Sequence, residues 1–270
     1  MIKFQHSLFA LPWAGVGALY AAGGLPTGRQ VLWILVAMVS ARSAAMAFNR
    51  IADAKFDREN PRTKDRILPS GTWAFTIAMI ALFILSAAML NRLCLTLTPV
   101  ALLVVLGYSY TKRFTALCHF VLGLSLGMAP IGAWLGIRPE WNPLPFLLGG
   151  AVLFWIAGAD IVYACEDVEF DRRVGLRSVP AALGVRGALR ISLFCHILTL
   201  GALIAVGLVA HLGILFYAGL GAIALLLLYE HAIVKPDDLR RVNTAFFHLN
   251  AAISIAVFVI CVADLMARSR

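Results

Sequence analysis

The sequence predicts an all-α membrane protein of about nine transmembrane helices, set around a central cavity as two pseudo-repeated bundles. Three observations carry that expectation. Of the 270 residues, 61% are hydrophobic and only 14% charged, and apolar runs of about twenty residues, long enough to cross a bilayer, recur along the chain. The alternation expected of barrel strands is absent, so backbone polar groups in lipid have to be satisfied inside helices. Two acidic segments of related spacing, one in each half, end on the same side of the membrane, which suggests internal duplication.

Taken in order, the spans fall at roughly 6–23, 31–54, 73–91, 93–111, 115–136, 144–165, 188–210, 212–230 and 246–266, and residues 1–270 form one polytopic domain. The first run, from Leu8 to Ala22, follows a lone Lys3 and has no convincing cleavage site, so it reads as a retained helix. Alternating the loops gives one side Arg50, Lys55, Arg58, Arg62, Lys64, Arg66, Lys112, Arg113, Arg172 and Arg173 among others. The other side has only Arg29, Arg92, Arg138, Arg268 and Arg270. This asymmetry places the N-terminus and the loops after the second, fourth, sixth and eighth spans in the cytoplasm, as expected of a multi-pass protein of the cytoplasmic (inner) membrane. The net charge of +9 is then topogenic and suited to anionic ligands; nothing points to nucleic acid or to an obligate protein partner. The five cysteines have neither paired nor metal-type spacing, and imply no disulfide and no zinc site.

The stretch from Arg42 to Gly71 organises the rest. On a helix turning about 100° per residue, Arg42, Asn49, Asp53 and Asp57 lie within roughly 80° of one another. Charged groups at lipid depth face a cavity or a partner, so this face is a candidate site. Asp160, Asp167 and Asp171 repeat the spacing of Arg42, Asn49 and Asp53, and on a continuous helix they too share a face. Asp53, Asp57, Asp160, Asp167 and Asp171, converging beside Asn49, repel one another unless a cation intervenes. A ligand set made only of oxygen favours Mg²⁺ or Ca²⁺, and Mg²⁺ takes one or two carboxylates and completes its shell with water and phosphate oxygens. Arg62, Lys64, Arg66 and Lys112 then supply surplus positive charge, for which a diphosphate is the natural anion.

These residues together resemble the UbiA superfamily of intramembrane aromatic prenyltransferases, in the manner of the 4-hydroxybenzoate polyprenyltransferases. The resemblance rests on Asn49-x3-Asp53-x3-Asp57, on Asp160-x6-Asp167-x3-Asp171, on Arg62-Thr63 with Arg66, on Leu68-Pro69-Ser70-Gly71 and on Tyr108-x3-Lys112. It extends over essentially the whole chain. It implies Mg²⁺ as cofactor, with Asn49, Asp53, Asp57, Asp160, Asp167 and Asp171 as its ligands, and Asp53, Asp57, Asp167, Asp171 and Lys112 as catalytic residues. Arg42, Asn49, Arg62, Arg66, Tyr108 and Lys112 are implied to bind substrate. The implied partners are a polyprenyl diphosphate, an aromatic acid acceptor and membrane lipid, and the implied reaction joins the prenyl group to a ring carbon of the acceptor in respiratory quinone biosynthesis.

Two departures keep the acceptor open. The first span is approached by Lys3-Phe-Gln5-His6-Ser instead of an Arg-x-Asp-Lys-Pro-like run, and Asn49 is followed by Arg50 instead of the frequent Asp. 4-Hydroxybenzoate leads; a dihydroxynaphthoate-type acceptor on the futalosine route to menaquinone is the alternative. A cation-coupled transporter is the reading from outside enzymology, disfavoured because the acids cluster at helix ends beside a basic loop and not at midplane. Arg42, seven residues and about 10 Å deeper than Asn49, anchors the acceptor carboxylate or pairs structurally with Asn250 or His248. His119, His196 and His211 read as core or interfacial, and Lys235 to Arg241 as a solvated loop.

Overall fold

The structure is a computed structural model, and it describes residues 7–60, 63–64 and 68–268. Its helices are α1 (Ser7–Ala22), α2 (Gly28–Glu59), α3 (Thr72–Leu90), α4 (Arg92–Thr111), α5 (Cys118–Ile137), α6 (Pro143–Ala164), α7 (Val168–Val174), α8 (Val179–Val209), α9 (Ile214–Ile233) and α10 (Asn250–Arg268). A 3-10 turn, Cys165–Asp167, joins α6 to α7, and a π-helical turn, Thr244–Leu249, leads into α10. Eight helical segments among the described residues are long and apolar enough to cross a membrane, with a shorter apolar helix at Phe9–Ala22. The nine spans expected from hydropathy are thereby accounted for.

Side chains start these helices at the ends where backbone N–H groups lack partners. Thr27 and Gln30 form a reciprocal capping box at α2. Asn91 accepts from Cys94 N–H at α4, Asn142 from Leu144 N–H at α6, and Ser178 from Ala181 N–H at α8. Gly71, at φ 84°, makes the left-handed turn into α3 that a Cβ would oppose.

Helix pairing repeats between the halves. In the first, α2 packs on α3, α3 on α4 and α4 on α5; in the second, α6 packs on α8, α8 on α9 and α9 on α10. α5 also lies against α6, and α1 bridges α5 and α10 to close the assembly. Lipid tails are as apolar as leucine, so association depends on close packing and not on water expulsion. Gly123 and Gly127 of α5 provide it, because a Cβ there would collide with the carbonyl oxygens of Leu153 and Gly149 on α6. A buried aromatic group of Phe9, Trp13, Trp155 and Phe246 locks α1 onto α6 and the approach to α10.

Three details depart from the sequence reading. Helix α2 continues to Glu59, which carries Asp57 on the same rigid rod as Arg42. The last span of the α6–α8 pair begins at Val179, not near 188, and changes direction at Gly184, where φ is 71° and ψ 170°. Pro180, Arg186 and Arg190 dilute the hydropathy of that first stretch, while the Ser178 cap and the fold around it keep it helical. Finally, the second acidic run is not one helix. The 3-10 turn advances about 120° per residue instead of 100°, so its three residues add about 60° to the angle between Asp160 and the pair Asp167 and Asp171. The break occurs where buried Cys165 gives way to α7, which has no buried residue, as the chain emerges from the core.

A candidate active site between the acidic ends of two helices

The first acidic face lies at the C-terminal end of α2. Asp53 is buried there, and its Oδ2 meets Lys112 Nζ at 2.9 Å and accepts from Asn49 Nδ2 at 3.1 Å. Its Oδ1 is shielded from solvent without a hydrogen bond among the described residues, with Arg113 3.9 Å away. Asp57, one turn further, faces Arg50 at 3.5 Å. Lys112 is the C-cap of α4, so the close approach of α4 to α2 is what delivers its ammonium to Asp53.

The second face is built from the turn after α6. Asp167 Oδ1 accepts from Asn60 Nδ2 at 3.1 Å, a bond between residues 107 positions apart that ties the two acidic ends together. Asp171 Oδ2 accepts from Ser178 Oγ at 2.8 Å, while its backbone oxygen accepts from Leu176 N–H. Lys112 is within electrostatic reach of Asp171 as well as paired with Asp53, and its own carbonyl accepts from Arg177 N–H at 2.6 Å. One lysine therefore sits between carboxylates of both halves. Glu169 is exposed, and Glu166 accepts from Asn243 at 2.8 Å.

Tyr108, one turn before Lys112 on α4, is the common neighbour of three charged groups. It interacts electrostatically with Arg42 on α2, with Asp53, and with Asp160 on α6. Arg42 Nε is buried with no hydrogen-bond partner among the described residues. The structural pairing of Arg42 with Asn250 is not formed among the described residues: Asn250 Oδ1, the atom that would accept from a guanidinium, has no hydrogen bond there, and Nδ2 donates to Ala245 O. Asp160 Oδ2 is 2.7 Å from His119 Nδ1. The structure thus brings together Asn49, Asp53, Tyr108, Lys112, Asp167 and Asp171, and sets Arg42 and Asp160 further in. Arg62 and Arg66 lie outside the described residues.

Sequence reasoning missed four residues. Arg113 donates to Ala52 O at 2.6 Å and stacks over Tyr110 and Phe56, its guanidinium carbon 4.6 and 5.4 Å from the ring centres. Asn60, Ser178 and His119 each hold one of the predicted acids. No spacing rule reveals such partners, since the contacts span 107, 7 and 41 positions; for Arg113 the available signal was its place beside Lys112. The partners also change the electrostatic picture, because each predicted acid has at least one protein donor or cation and mutual repulsion is partly offset without a metal. The loop 235–241 is solvated as expected. There Arg240 grips Asp238 at 2.9 and 2.8 Å and holds its carboxyl well below the usual carboxylate range.

Among the described residues, no three His, Cys, Asp or Glu side chains converge as a complete metal cage. That suits Mg²⁺, which is commonly held by one or two carboxylates and finished by water and phosphate oxygens. The shielded, unbonded Oδ1 of Asp53 is the kind of hard oxygen donor it takes.

A helical bundle of membrane-spanning length, with paired acidic ends around a lysine and an arginine further along α2, is a candidate site for an anionic substrate. The chain matches the UbiA prenyltransferase family over residues 10–252, and it belongs to that family. It is a membrane prenyltransferase, and the transporter reading falls. It is 30% identical to a 4-hydroxybenzoate octaprenyltransferase of Nitrosospira multiformis, covering 97% of this chain and 92% of that one. It is 34% identical to a 4-hydroxybenzoate octaprenyltransferase of Xanthomonas campestris pv. campestris, covering 96% and 87%. Among solved structures, a UbiA homologue from Aeropyrum pernix K1, in its apo form, superposes with a TM-score of 0.87 at 34% identity over all of both chains. A UbiA homologue from Archaeoglobus fulgidus, solved with DMAPP and Mg²⁺, shares the fold at 20% identity, with a TM-score of 0.72 over 97% and 96% of the chains.

Proposed function

We propose that this enzyme transfers a polyprenyl group from a polyprenyl diphosphate to a ring carbon of 4-hydroxybenzoate, in a Mg²⁺-dependent reaction of ubiquinone biosynthesis. The observation that supports it most is Lys112, paired with Asp53 of one acidic helix end and within reach of Asp171 of the other, with Arg42 and Tyr108 interacting beside them. The names of the relatives that match nearly end to end support the acceptor. The loops that carry Lys and Arg face the cytoplasm in this reading, in the cytoplasmic membrane, and residues 1–270 work as one domain.

Asn49, Asp53 and Asp57 from α2, with Asp167 and Asp171 from the turn and α7, would hold the metal. When bound, Mg²⁺ neutralises charge that grows on the departing diphosphate. Lys112 donates to the same phosphate oxygens, and Arg62 and Arg66 of the loop after α2 join it. Asn60 and Ser178 keep Asp167 and Asp171 aimed, so the pocket is formed before substrate arrives. Arg42 pairs with the acceptor carboxylate, and its depth below Asn49 leaves room for the ring between that carboxylate and the reacting carbon. The prenyl tail passes laterally into lipid.

The test is incorporation of a radiolabelled prenyl group by purified protein in nanodiscs, against 4-hydroxybenzoate and dihydroxynaphthoate acceptors. Labelled 4-hydroxybenzoate that requires Mg²⁺ is expected. Label in a dihydroxynaphthoate alone would move the enzyme to menaquinone synthesis, and label in no arene would overturn the proposal.

A further inference from the structure

We propose that Asp160 accepts the phenolic O–H of the aromatic acceptor, and that His119 is the positioning residue that aims it. Asp160 then serves the acceptor and not the metal. The inference rests on the reading of the chain as an arene prenyltransferase.

His119 is 2% exposed, on α5, and both ring nitrogens are used. Its Nε2 accepts from Val179 N–H at 3.2 Å, at the start of α8. A nitrogen that accepts carries no proton, so in neutral imidazole the proton is on Nδ1, and it points at Asp160 Oδ2 at 2.7 Å. The fold itself therefore sets the tautomer, and one carboxylate oxygen of Asp160 is committed to His119. The other side of the carboxylate remains open, because 23% of the Asp160 side chain is accessible. Its chain neighbours Ala159 and Ile161 are both buried, so α6 lies within the bundle at this point. Tyr108 feels both Asp160 and Arg42, so the two charges lie within electrostatic reach of one phenol. The three residues of the 3-10 turn add about 60° of rotation between Asp160 and the pair Asp167 and Asp171.

A para-hydroxylated aromatic acid fits between them, with its carboxylate on Arg42 and its hydroxyl on Asp160. A hydrogen bond from the hydroxyl to Asp160 pushes electron density into the ring. The ring carbon beside the hydroxyl then supplies the electron pair of the new C–C bond. The allylic C–O bond breaks with its pair going to diphosphate, and the ring C–H proton leaves to that diphosphate, so one prenyl arene and one protonated diphosphate result.

The experiment uses the full chain in nanodiscs. Asp160→Asn should lower kcat with 4-hydroxybenzoate by about a hundredfold, the scale of a positioned proton acceptor. It should leave unchanged the KM for prenyl diphosphate, the Mg²⁺ concentration for half-maximal rate, and Mg²⁺-dependent binding of a prenyl thiolodiphosphate. With 4-methoxybenzoate, which has no O–H, wild type and Asp160→Asn should be equally poor. His119→Ala should lose about tenfold, and His119→Asn, whose amide N–H stands near the Nδ1 position, should recover most of it. Val179 N–H loses its partner in both variants, so their difference reads only the bond to Asp160. A shifted Mg²⁺ requirement or weakened thiolodiphosphate binding in Asp160→Asn would make Asp160 a metal ligand and overturn the proposal. So would unchanged use of 4-hydroxybenzoate in Asp160→Asn, or equal rates in His119→Ala and His119→Asn. If wild type prenylates no arene, the functional reading fails instead.

Discussion

The two acidic helix ends descend from one plan but are built differently. In the first half, α2 is a single rod from Gly28 to Glu59, and Arg42, Asn49, Asp53 and Asp57 keep the face that helical geometry assigns them. In the second half, the rod stops at Ala164, a 3-10 turn follows, and Asp167 and Asp171 are delivered by a short exposed helix. The rigid end carries its own local bond, from Asn49 to Asp53, four residues apart. The broken end depends on residues from elsewhere: Asn60 for Asp167 and Ser178 for Asp171. The first half thus supplies a preformed platform, and it also steadies the second.

The largest expected effect treats the two ends as equals. Asp53→Ala and Asp167→Ala should each cut turnover by more than about a hundredfold, the scale of a lost group that stabilises transition-state charge, while the protein stays folded in detergent. Steady-state prenyl transfer checks it, and near-normal activity in either variant would break the pairing of the two ends.

Next comes the depth of the platform. Arg42→Ala should cost about 2–5 kcal/mol in kcat/KM for the acceptor, as when one partner of a buried charge pair is removed, with prenyl diphosphate binding intact. Acceptors without the carboxylate should lose affinity for wild type and little more in the variant, because both changes delete the same interaction. Independent, additive penalties would return Arg42 to a structural role.

Asn60→Ala sharpens the dependence of one half on the other. Losing a hydrogen bond to a carboxylate costs about 1.5–3 kcal/mol, so turnover should fall roughly tenfold or more, whereas Asn49 and Asp53 keep their bond. The smallest effects belong to Arg62→Ala and Arg66→Ala, each raising the KM for prenyl diphosphate a few fold with the acceptor KM unmoved, since both are read as contacts to phosphate oxygens. A shift in the acceptor KM would reassign that loop.

The same contrast explains what could be read from the sequence. The spans were legible because lipid demands long apolar helices, and the face of Asn49, Asp53 and Asp57 because a continuous helix turns by a fixed angle per residue. The break at Cys165–Asp167 was not legible. It carries no proline or glycine, and it arises where the core ends. Nor were the Asn60–Asp167 and His119–Asp160 contacts legible, since only tertiary packing brings those pairs together. The start of α8 was hidden by Arg186 and Arg190, whose charges mask a helix that the Ser178 cap begins.

The claim that both ends form one site is tested most directly by calorimetric binding of a non-hydrolysable prenyl thiolodiphosphate, with Mg²⁺, to wild type, Asp53→Asn, Asp167→Asn and the double variant. If the ends act together on one diphosphate, either single change should weaken binding nearly as much as both, and chelation of Mg²⁺ should abolish the difference between all four proteins. Additive losses, or full Mg²⁺-dependent binding in either single variant, would contradict it.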